Sequence, residues 1–78
     1  MGWSVRIDEP VTHLLVGMDE KTMADFVTAM VNLGTDPYRG SAHGTEQRAL
    51  ALGSLGFVVY MLFEDEHAVV VVDVVWIG

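Results

Sequence analysis

The sequence predicts an α+β domain: an antiparallel four-stranded sheet with a helical hairpin on one face, in the order β-α-α-β-β-β. Three observations carry this. Residues 56–63 and 68–77 are β-branched and aromatic runs separated by the polar hinge Glu64-Asp65-Glu66-His67, the pattern of an antiparallel hairpin. Residues 11–31 repeat apolar side chains at helical spacing. Residues 3–7 alternate apolar and polar.

In the first strand, Trp3, Val5 and Ile7 point one way, and Ser4 and Arg6 the other. Asp8-Glu9-Pro10 ends it and opens a helix, because proline fits the first turn and a carboxylate suits the exposed N–H groups there. Val11, Leu14, Leu15 and Met18 lie on one face of this short helix, and Gly17 marks its exit. Asp19 caps a second helix whose apolar stripe is Met23, Phe26, Val27, Met30 and Val31, with Gly34 as its stop.

Residues 35–45 read as a loop, punctuated by Pro37, Gly40 and Gly44. Residues 46–52 are open to helix or strand. Their Ala-Leu content favours helix; the flanking Gly44 and Gly53 and the short length favour strand, which is adopted, with Arg48, Leu50 and Leu52 on one face. A turn at residues 53–56 leads into the final hairpin.

The 78 residues form one domain, 1–78, with a thin core and no cysteine. The absence of thiols fits a reducing cytosol and no signal-type apolar stretch is visible, so a cytoplasmic location is expected. The apolar runs are strand-length, so no membrane span or membrane partner is expected. Eleven acids against four bases, Arg6, Lys21, Arg39 and Arg48, give a net charge of −7. That field disfavours free nucleic acid and favours basic partners; it also serves solubility.

Both faces of the closing hairpin read as apolar. Alternation groups Val70, Val72, Val74 and Trp76 on one face of the last strand, and Val69, Val71, Val75 and Ile77 with Asp73 on the other. In the preceding strand Phe57, Val59, Met61 and Phe63 oppose Val58, Tyr60 and Leu62. Two short helices cover one face. The second is expected to bind another chain through Phe57, Val59, Met61, Phe63, Val69, Val71, Val75 and Ile77. A strongly curved sheet closing over its own apolar side is the competing account.

The element order, with Leu33-Gly34-Thr35-Asp36-Pro37-Tyr38, Arg48-Ala49-Leu50-Ala51-Leu52-Gly53, Val58-Val59-Tyr60 and the valine-rich closing strand, resembles the RelE/ParE superfamily over nearly the whole chain. The resemblance implies a toxin of a bacterial type II toxin–antitoxin pair, which cuts mRNA on the ribosome or inhibits DNA gyrase. It also implies neutralisation by a small antitoxin. RelE-like nucleases carry an arginine just before the Val-Val-Tyr segment, where this chain has Gly56 and Phe57. Their closing strand leads to a His- or Arg-containing tail, where this sequence reads Trp76-Ile77-Gly78; Lys21 and Arg39 are the possible relics of their RNA-gripping lysines. Metal-free RNA cleavage needs a base, an acid and cations for the phosphate, so the nuclease centre is expected to be absent or degenerate.

Weak catalytic candidates remain in Arg48, Glu46, His43 and Tyr60: a general base, Glu46 or His43, beside a phosphate-binding Arg48. A surface ion pair with a loop histidine explains the first three as well. Tyr60 fits a core residue with its hydroxyl at the rim. Asp73 is expected at a sheet edge or paired with Arg6 or Arg48. His13 and His67 have no partner at ligand spacing, so no metal and no cofactor is implied. The first reading is a toxin-family protein that acts by binding an antitoxin-like protein or a second copy of itself. The alternative is an active toxin, either a gyrase inhibitor or a ribosome-dependent endoribonuclease.

Overall fold

A computed structural model describes residues 2–43, 46–53 and 56–76. Strand β1 (Ser4–Ile7) is followed by helices α1 (Glu9–Leu15) and α2 (Glu20–Thr35), then strands β2 (Ser41–His43), β3 (Gln47–Leu52), β4 (Gly56–Phe63) and β5 (Ala68–Trp76). The sheet is five-stranded and mixed, in the order β1-β5-β4-β3-β2. This corrects the expected four antiparallel strands twice. β1 pairs parallel to β5, Val5 opposite Val69 and Ile7 opposite Val71. The stretch read as loop holds a 3-10 turn, Pro37–Arg39, and the short edge strand β2, paired with β3. Composition hid β2, because three residues of strand leave no period to detect.

The helices form one layer. α1 lies against β5, and α2 against β3 and β1. The core between layers contains Val11 of α1; Phe26, Ala29 and Leu33 of α2; and Leu52, Val58, Tyr60, Val69, Val71 and Val74 of the sheet. Helix α1 ends as expected, with Gly17 donating to the Leu14 carbonyl. Helix α2 does not stop at Gly34. It runs to Thr35 and breaks at Asp36, which is extended because Pro37 follows. The Gly34 carbonyl, in the last turn and without an intrahelical partner, accepts from Trp3 N–H at 2.8 Å.

The buried stripe of α2 is also different. Thr22, Phe26, Ala29 and Leu33 face the sheet, while Val27 and Val31 are exposed. The stripe is turned by roughly a quarter of a helical turn from the one predicted. With almost no charge after Asp25, the helix offers no polar face to fix its rotation.

β5 breaks its own alternation. Val59 pairs with Asp73 and Tyr60 with Val71, so β5 holds an extra residue at Val72. The bulge moves Val69, Val71, Val74 and Trp76 onto the helix-covered face. Val70, Asp73 and Val75 fall on the other. The face assignments read from strict alternation hold for β4 and fail for β5.

Candidate functional site

Two regions gather the predicted residues. The first is the 3-10 turn at Pro37–Arg39 and the ends of β3 and β4 beside it. Tyr60 is wholly buried in β4. Its hydroxyl donates to the Pro37 carbonyl at 2.7 Å and accepts from Gly40 N–H at 3.0 Å. Gly40 is required by this approach: a Cβ there would stand 2.5 Å from both the Ala49 carbonyl oxygen and the Tyr60 hydroxyl. Arg48, opposite Tyr60 in the register, donates from Nη2 to the carbonyls of Tyr38 at 2.9 Å and Gly40 at 2.5 Å. Its guanidinium carbon lies 5.8 Å from the Tyr38 ring centroid, within cation–π range. Arg48 Nε is buried without a partner.

Arg48 and Tyr60 therefore hold the turn between α2 and β2. The Tyr60 hydroxyl bonds twice to this backbone and Arg48 bonds to it through Nη2, while Arg48 Nε has no partner. Glu46 is exposed in the turn before β3. His43 closes β2, and its side chain lies outside the described part of the structure. Of the four candidates, Arg48 and Tyr60 are brought together at this turn, opposite one another in the register. Tyr60 is placed deeper than the rim position expected of it.

The sequence reading missed the neighbours of this turn. Tyr38, exposed, donates its hydroxyl to Glu64 at 2.8 Å. That bond to a carboxylate raises the Tyr38 pKa, since ionising the phenol would set two anions face to face. Trp3 meets the Tyr38 ring edge-on, with centroids 5.9 Å apart, and stacks on His67 at 4.3 Å. His67 sits in the left-handed backbone region, φ 56°, closing the hairpin between β4 and β5. The parallel pairing of β1 with β5 brings Trp3 beside His67, and no local pattern announces that pairing.

The second region is the sheet face away from the helices. Phe57, Val59, Met61, Phe63 and Val75 of the predicted binding set lie on it. Val69 and Val71 do not. The bulge turns them into the core beneath the helices, both at 0% exposure. Ile77 lies outside the described residues. The face is not uniformly open. Val59 is 4% exposed and Ala68 1%. Phe63 and Val75 remain more than a third exposed. Asp73 is exposed on this face, and its carboxylate accepts from Val74 N–H at 2.8 Å rather than pairing with Arg6 or Arg48.

A shallow groove at the hairpin is lined by Leu62, Phe63, Glu64, Asp65 and Glu66. It joins the apolar face to three carboxylates. Asp19, at the N-cap position of α2, has a lowered pKa because the nearby Thr22 hydroxyl favours its charged form. Among the described residues, no three of His, Asp and Glu gather to hold a metal ion. No helix among the described residues is long and apolar enough to cross a membrane.

No family model matches the chain, and no curated protein matches it. Among solved structures it is similar to a mutant of the E. coli toxin RelE in the free state, in which two arginines are replaced by alanine. The likeness has a TM-score of 0.79 at 15% sequence identity and covers 95% of this chain and 82% of that one. At that identity the agreement lies in the course of the backbone, which includes the mixed sheet and both helices. This chain has the α+β fold of the RelE toxin.

Proposed function

We propose that the chain is a RelE/ParE-like toxin-family protein that acts mainly by binding protein, an antitoxin-like partner or a second copy of itself, and that its nuclease centre is absent or degenerate. One observation carries the reading. The sheet face opposite the helices presents Phe57, Met61, Phe63 and Val75 at least partly to solvent, in a chain with little core to spare. The acidic hairpin Glu64-Asp65-Glu66 adjoins Phe63, so a basic amphipathic segment fits this surface best. The engagement of Arg48 Nη2 with the backbone of the turn and the doubly bonded Tyr60 hydroxyl support the loss of nuclease chemistry.

Induced expression tests the second half of the proposal. Growth without arrest is the expected outcome. Arrest with mRNA cleavage would instead establish the active-toxin reading. Co-purification with the product of an adjacent short reading frame tests the first half. Phe63→Glu and Val75→Lys should each abolish capture, and capture undiminished by both would remove the sheet face from the proposal.

A further inference from the structure

We infer that Asp73 sets what the open sheet face accepts: a polypeptide segment that carries a lysine or arginine among its apolar side chains. The inference rests on the proposal that this face binds protein, and it names the residue that selects the binder. Asp73 is the one charged residue of β5, whose other residues are alanine, valine and tryptophan. Strict alternation from Val69 and Val71 would turn it under the helices. The extra residue at Val72 turns it outward instead, opposite Val59 on the open face. On that face the pair Phe57 and Val75 lies to one side of it, and the pair Met61 and Val70 to the other. The outer side is open, because β1 ends at Ile7, opposite Val71.

The carboxylate is exposed and held in place. Its Oδ1 accepts from Val74 N–H at 2.8 Å, which leaves most of its acceptor capacity for a ligand. Neither arginine of the sheet takes it. Arg6 of β1 lies opposite Val70, and Arg48 lies opposite Tyr60 and bonds to the backbone of the turn. A binder that covered the apolar rows with apolar side chains alone would strip water from this charge and return nothing, at a cost in affinity. A lysine or arginine returns an ion pair. Its methylene stem can lie along the valines while its head reaches the carboxylate from the open side.

Charge elsewhere points the same way. The chain carries −7, so its field draws a basic segment and repels a second copy. Glu64, Asp65 and Glu66, exposed beyond the last row of the face, act on the approach, as rim charges govern association rate. Asp73 stands among the apolar rows and therefore discriminates between binders once they are seated.

Selection of displayed random peptides on the full chain tests this, with peptides of about 16 residues, long enough as a helix to cross roughly 24 Å. The wild-type chain is expected to retain sequences with a lysine or arginine between apolar residues. Asp73→Asn, which keeps an acceptor for Val74 N–H, should weaken those peptides at least about tenfold with unchanged circular dichroism. Asp73→Lys should retain peptides with an aspartate or glutamate in that place. Peptides lost to Phe63→Glu but bound equally by wild type and Asp73→Asn, or retained sequences with no base, would overturn the inference and leave the sheet face as a binding surface. So would self-association of the wild-type chain that Phe63→Glu abolishes, which would put a second copy on the face. Peptides indifferent to Phe63→Glu, or none retained at all, would overturn the inference together with the proposal beneath it.

Discussion

The two faces of the sheet differ in what holds them. On the helix side, Val58, Tyr60, Val69, Val71 and Val74 are sealed by Val11, Phe26, Ala29 and Leu33, and the polar atoms of Tyr60 are paired. On the far side the residues are as apolar by type. No helix lies over them among the described residues; Val59 and Ala68 are hidden there, and Phe63 and Val75 stay open. Apolar sequence alone does not make a core. A second layer does, and only one face has it among the described residues.

The comparison breaks most sharply at Leu33, fully buried in α2 against the covered face. Leu33→Ala should cost about 2–5 kcal/mol in urea unfolding. A loss near zero would mean the helix layer is not the main support. Next comes Tyr60→Phe, which keeps the ring but strands Gly40 N–H and the Pro37 carbonyl; a loss of about 1–3 kcal/mol is expected by the same measurement. On the open face the effect should reverse in kind. Val75→Lys should shift folding stability within about 0.5 kcal/mol while abolishing partner capture. A large destabilisation would show that the open face is core after all.

The smallest effect concerns the hairpin joining the faces. The hydrogen bond to Glu64 raises the Tyr38 pKa in the folded chain. Its contribution to stability is therefore present below the ordinary phenol pKa and is lost as pH rises through the raised value. Glu64→Ala should return the Tyr38 phenolate absorbance to the ordinary range. An unmoved titration would mean that the bond is not formed in solution.

Of the candidate site, the sequence exposed Arg48 and Tyr60 as residue types but not their employment. Their partners are the backbone of Tyr38, Gly40 and Pro37, and only the folded turn brings those groups within reach. The apolar excess of β4 was legible, and Phe57, Val59, Met61 and Phe63 fall on the face that alternation assigned them. Val69 and Val71 were misassigned because a single inserted residue at Val72 inverts every side chain before it relative to those after.

By itself the sequence determined the two helices, the β4–β5 hairpin, the strand character of Gln47–Leu52 and the strand character of β1. Each is a local matter: a period of two or about 3.6, a proline or a glycine at a boundary, a run of β-branched residues. Tertiary structure decided the rest. It chose which stripe of an uncharged helix faces the sheet, and it set β1 parallel against β5, so that Trp3 stacks on His67. Such choices depend on contacts between residues far apart in the chain, whose relative energies no window of neighbouring residues contains.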